Sequence, residues 1–178
     1  MSSLTISSDY GYVLVSAGVI GLTQLFIGGS VMKLRKKFFK CESYLKQQEV
    51  KDMAEKHMVA FQTMPNDLGY PDTGCGLYAK HLPYDQWVEF NNAQRAHYNM
   101  IEVSGPVLAC MLTAGLRIPR VSAAIGMLFA LGRYVYANGY KSKQGADGRM
   151  VGAVIGGLST MALFFSAIAT GVATVAGM

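Results

Sequence analysis

Four long apolar runs dominate this chain and leave few folds open to it. They lie at about residues 12–32, 98–116, 119–138 and 150–175. A helix rising 1.5 Å per residue needs about 20 residues to cross the hydrocarbon of a bilayer, and each run approaches that length. Inside hydrocarbon every backbone N–H and C=O must find an internal partner, so only helices and closed barrels span it. None of the runs shows the period-two alternation of a barrel strand. The chain therefore reads as an all-α membrane protein: one domain over residues 1–178, a four-transmembrane-helix bundle with an extended loop between helices 1 and 2. The second and third runs are marginal in apolar length. Both gain from amphipathic extensions, the second back toward Trp87 and the third forward to Tyr140.

Composition and charge agree with a bilayer setting. Hydrophobic residues make up 51% of the chain and charged ones only 15%, against about 25% charged in average soluble domains. The net charge of +5 does not point to nucleic acid, because the basic residues gather beside the apolar runs. Lys33, Arg35, Lys36, Lys37, Lys40, Lys46, Lys51 and Lys56 follow the first run, and Lys141, Lys143 and Arg149 follow the third. Only Arg117 and Arg120 separate the second from the third. The positive-inside rule then places the loop 33–89 and the third loop in the cytosol, with both termini on the other side. No Lys or Arg precedes the first run, so a cleaved signal peptide is not expected. Cys41, Cys75 and Cys110 are too scattered for a disulfide framework or a zinc site, and no metal is expected.

The loop 33–89 has two characters. Its first half, KKFFKCESYLKQQEVKDMAEKHMVAFQTM, has helical composition, whereas PNDLGYPDTGCGLYAKHLPYDQW is rich in Gly, Pro and Asp and reads as irregular. In the fourth run Gly152 and Gly156 are spaced for close helix contact.

Polar groups at the second run raise the chemical question. In FNNAQRAHYNMIEV, Arg95, Asn99 and Glu102 fall at i, i+4 and i+7, within roughly 60° of one another on a helix. In GRYVYANGY at the end of the third run, Arg133, Tyr136 and Tyr140 again share a face. A charge at mid-membrane costs about 2.5–3.5 kcal/mol even on the lenient insertion scale. One reading is a structural clamp in which Glu102 neutralises an arginine. The other is a recess for an anion, because two arginines for one acid, with Arg35 and Arg149 at adjoining helix ends, leave positive charge over, and Arg presents a fork suited to carboxylates.

The paired motif R-A-H-x-N-x-x-E and G-R-x-x-Y-x-x-G-Y, with YGYVLV and VMKLRKKFF bounding the first run, resembles the MAPEG family, the membrane-associated proteins in eicosanoid and glutathione metabolism. The resemblance covers most of residues 10–40 and 87–175. It implies a four-helix subunit, typically of a homotrimer, that takes glutathione as co-substrate between subunits at the cytosolic side. By similarity Arg95, Asn99, Glu102, Arg133, Tyr136 and Tyr140 hold the tripeptide, and Arg35 binds or adjoins one of its carboxylates. In one branch of the family an arginine after the third-helix tyrosines activates the thiol; Arg149 is the counterpart here, at slightly longer spacing. The second substrate is a hydrophobic, lipid-like electrophile or hydroperoxide reached from the surrounding membrane lipids. The resemblance places the protein in the endoplasmic reticulum, with an organellar membrane as the alternative.

Two departures stand out. The loop 33–89 is far longer than in compact members, and Val103 stands where the leukotriene-forming branch has a tyrosine. His97 falls about 160° from Asn99 on the helical wheel and reads as a structural histidine. The leading expectation is a glutathione transferase and peroxidase. The alternative is a non-catalytic subunit that binds lipid or serves as an accessory or scaffold in a larger membrane complex, with the long loop as its docking surface.

Overall fold

The computed structural model describes residues 6–177. The signal-peptide expectation falls partly on residues 1–5, outside the described residues. Among these residues six α-helices follow one another: α1 (Tyr10–Phe39), α2 (Glu42–Leu45), α3 (Gln48–Phe61), α4 (Tyr84–Gly115), α5 (Pro119–Tyr140) and α6 (Met150–Val175). Single 3-10 turns cover Ala79–His81 and Asp147–Arg149. Among the described residues, two stretches are long and apolar enough to cross a membrane, Tyr10–Phe39 and Asp147–Val175. Helices α4 and α5 are long enough but less apolar, because they carry the polar stripes. The chain divides into two compact units, one holding the chain up to Ile27 and from Ala96 onward, the other Gly28–Arg95.

The first unit packs apolar positions at helical spacing. Val13, Ile20 and Ile27 of α1, with Met100, Val107 and Met111 of α4, line its core with Phe129 of α5 and Leu163 of α6. Polar groups inside are paired locally. The Ser16 hydroxyl donates to the Ala123 carbonyl at 3.1 Å, that of Ser122 to Met111 at 2.7 Å, and Ser104 to the Gln24 side-chain oxygen at 2.9 Å. Such bonds suit an environment without water to replace them. Helices α5 and α6 meet through glycines. A Cβ on Gly132 would lie 2.6 Å from the Gly156 nitrogen, and one on Gly152 would strike the backbone of Tyr136. The opposite face of α6 presents Val151, Val154, Leu158, Phe165, Ile168 and Val172 outward, each more than half exposed. A stripe of that kind on the outside is what a lipid-facing helix requires.

The second unit is built on the end of α1. Phe39 is 1% exposed, and its ring meets Tyr44 and Phe90 edge-on at 5.3 Å each. Val31, Phe38, Val50, Ala79, Leu82 and Ala93 complete the core. The expected helical half of the loop becomes α2 and α3, and α3 buries Val50 toward this core. Residues 62–83 are irregular but tied down. The Asp72 carboxylate accepts the backbone N–H groups of Gly74 (2.7 Å), Gly76 (2.9 Å) and Ala79 (2.7 Å). Asn91 donates to the carbonyls of Gly74 at 2.7 Å and Trp87 at 2.9 Å. Tyr44 donates its hydroxyl proton to the Tyr78 carbonyl at 3.0 Å.

Candidate functional site

Within the first unit, α4 and α5 bring part of the expected set together. Arg133 is 5% exposed, and its Nη2 donates to Asn99 Oδ1 at 2.5 Å. The Asn99 amide in turn donates to Glu102 Oε2 at 3.4 Å. Asn99 therefore bridges the arginine and the acid by hydrogen bonds. The Arg133 guanidinium also lies over the Tyr136 ring at 4.2 Å. From the turn preceding α6, Arg149 approaches the same aromatics, 5.2 Å from the Tyr140 ring centre and 6.0 Å from that of Tyr136. The two phenol rings are 5.8 Å apart. Two cations thus bracket a tyrosine pair.

The unmet valence in this cluster is on Arg133. Among the described residues its Nε–H has no hydrogen-bond partner, although the atom is buried. A buried donor left unpaired costs about 1–3 kcal/mol, more on a charged group, so such atoms call for an explanation. The sequence explains the geometry: Arg133 and Tyr136 sit at i and i+3 on α5 and so share a face, and the Arg133 stem packs over Gly156, where a Cβ would make an ordinary contact at 3.4 Å from Arg133 Cδ.

Two expected ligands belong to the other unit. Arg95 is exposed on α4. Arg35 is 3% exposed. Its Nη1 donates to the Leu68 carbonyl at 3.0 Å and its Nη2 to that of Asp72. The rings of Tyr70 and Phe90 lie 4.1 and 5.1 Å from its guanidinium carbon. In this structure Arg35 holds the loop following α3. Cation–π contact and two carbonyl acceptors are ample partners for one guanidinium.

Sequence reasoning passed over Asp72. Burial, the largest single influence, opposes its charge. The N–H groups of Ala79, Gly74, Gly76 and Tyr78 together outweigh it and hold the carboxyl below its ordinary range. The signal was the run DTGCG, since Asp before glycines commonly takes nearby backbone N–H groups. Tyr44 shows the opposite outcome: burial first, then the Asp72 charge, push its phenol well above the usual value.

The family model for the MAPEG family matches residues 13–169. The chain belongs to the MAPEG family. An uncharacterized protein of Synechocystis sp., sll1147, is 38% identical over 81 residues, 45% of this chain and 58% of that protein. The match thus spans little more than half the length of that relative. No solved structure matches the chain. MAPEG members are membrane proteins, and they include glutathione transferases and peroxidases as well as non-catalytic proteins. The Arg133–Asn99–Glu102 chain and the Arg149–tyrosine contacts all fall inside the span that defines this chain as a MAPEG protein.

Proposed function

We propose that this MAPEG protein is a membrane-bound glutathione transferase and peroxidase, nearest in its motifs to microsomal glutathione transferase 3. The observation that carries the reading is the buried Arg133 Nε–H without a partner, in a cluster with a second arginine and a single acid. A tripeptide anion with two carboxylates supplies what that donor lacks. Arg133, Tyr136 and Asn99 bind the tripeptide, with Tyr140 and Glu102 beside it. Arg149 is the thiol-activating group: a cysteine thiol has a pKa near 8.5 and reacts as the thiolate, which a neighbouring guanidinium favours. The thiolate then attacks an electrophilic lipid, or reduces a lipid hydroperoxide to the alcohol while two glutathiones become the disulfide. Arg35 is proposed here as a wall of the second unit rather than a direct ligand.

The same reading takes α4 and α5 as spans alongside α1 and α6, in a homotrimer of the endoplasmic reticulum membrane. Glu102 is exposed in the single chain, and an exposed carboxylate on a membrane helix favours a neighbouring copy over lipid. The test is titration of the detergent-purified protein with glutathione, read by thermal shift and by thiolate absorbance at about 240 nm. Wild type is expected to be stabilised and to form thiolate. Arg149→Ala should keep the stabilisation and lose the thiolate, and Arg133→Ala should lose both. Indifference of the wild type to glutathione overturns the reading.

The alternative, a non-catalytic accessory subunit, is favoured by one feature: the tightly built segment 62–83 of the second unit. In that case glutathione has no effect and the purified protein is a monomer.

A further inference from the structure

The end of α5 and the turn before α6 meet with no side chain between them. A Cβ built on Gly148 would fall on the Gly139 carbonyl oxygen and lie 2.7 Å from Ser142 Oγ. One built on Gly139 would fall on the Gly148 carbonyl and lie 3.1 Å from the Arg149 nitrogen. Each glycine is next in sequence to a residue of the cluster, Gly139 to Tyr140 and Gly148 to Arg149. The approach of two backbones therefore sets the base from which Arg149 reaches the Tyr140 ring at 5.2 Å and the Tyr136 ring at 6.0 Å.

Which side would yield to an added methyl group follows from how each is held. The Gly139 carbonyl accepts the Ser142 backbone N–H at 3.1 Å and the Ser142 hydroxyl at 2.7 Å, so two donors restrain it. One turn into α6, Gly152 sits directly on the Tyr136 backbone and fixes the helix against α5. The turn Asp147–Arg149 lies between these two fixed points, and it is the part that moves. A Cβ on Gly148 reaches ordinary van der Waals contact only if that turn retreats by about 1 Å. A guanidinium carried away by that much no longer meets a thiol at hydrogen-bond distance. Arg133 and Tyr136 on α5, and Asn99 on α4, keep their places.

We propose that Gly139 and Gly148 are positioning residues for Arg149: their contact governs whether bound glutathione ionises and leaves its affinity unchanged. The inference rests on the glutathione reading above, with Arg149 as the thiol-activating group. The Arg133 cluster holds the tripeptide, and the glycine joint sets what happens at its sulfur.

The pH dependence of thiolate absorbance at about 240 nm, recorded for the detergent-purified full-length protein at saturating glutathione, tests it. Wild type is expected to titrate below the free thiol, whose pKa is near 8.5. Gly148→Ala should raise the midpoint by about one unit, a tenfold change in the ionisation constant. The glutathione concentration giving half-maximal thermal stabilisation should not change. Gly157→Ala, with nothing within 4 Å of its Cβ, should titrate as wild type. Ser142→Ala removes one donor to the Gly139 carbonyl without adding an atom, and should raise the midpoint by about half a unit. It decides the matter where Gly148→Ala does not fold. A wild-type midpoint in these variants, with Arg149→Ala still raising it, overturns the inference and leaves the glutathione reading intact. Equal loss of affinity and ionisation also overturns it, because the glycines are then only structural. If wild type forms no thiolate, the glutathione reading itself fails and the inference falls with it.

Discussion

Asp72 is the side chain on which residues 62–83 most depend. Its carboxylate gathers three backbone donors within 2.9 Å and lies below its ordinary pKa. A depressed carboxyl stabilises above its unfolded value, and that stability is lost as pH falls through the lower folded value. Amide exchange of residues 74–79 should therefore stay slow from neutral pH to about 4 and accelerate only under stronger acid. Asp72→Asn should loosen the segment by about 1–3 kcal/mol at neutral pH, because an amide cannot accept from both sides. The acid step should disappear in that variant, which hydrogen exchange across a pH series will show. At Arg133 the charge is not the whole matter. Arg133→Lys keeps a cation and loses the fork, so glutathione affinity should fall by about tenfold, or about 1.4 kcal/mol, as read by calorimetry.

At the scale of elements, the α5–α6 contact is the most demanding. Gly152 admits no side chain, because a Cβ there meets the Tyr136 backbone, whereas Gly157 has nothing within 4 Å. Gly152→Ala should thus cost about 1–3 kcal/mol and Gly157→Ala close to nothing, measured side by side as thermal midpoints in detergent. Tyr136 belongs to the cluster around Arg133, so Gly152→Ala should also weaken glutathione stabilisation. Much at this scale was legible in the sequence. The apolar runs marked α1 and α6 because twenty consecutive apolar residues have few other uses, and helical composition marked α3. The trace of residues 62–83 was not legible, because it depends on which backbone groups one aspartate and one arginine capture. Local propensity carries no record of that choice. The i, i+3 and i+7 spacings put Arg133, Tyr136 and Tyr140 on one face, but did not show that Asn99 would stand between Arg133 and Glu102, since that depends on how two helices face each other.

For the molecule as a whole, the exposed Arg95 and Glu102 bear on assembly. With α4 as a span, as proposed above, single chains in lipid would leave a carboxylate facing hydrocarbon, at about 2.5–3.5 kcal/mol on the lenient scale. A trimer mass in detergent by light scattering is the expected result, and Glu102→Leu should change glutathione binding more than it changes insertion. The arrangement around Arg35 has a consequence for anyone reshaping the chain. Its guanidinium and residues 68–72 form a lock and its bolt, and neither is sound alone. Trimming the segment would leave a buried cation stripped of two acceptors. Replacing the arginine would leave the segment without its fastening. The two must be edited together or left as they are.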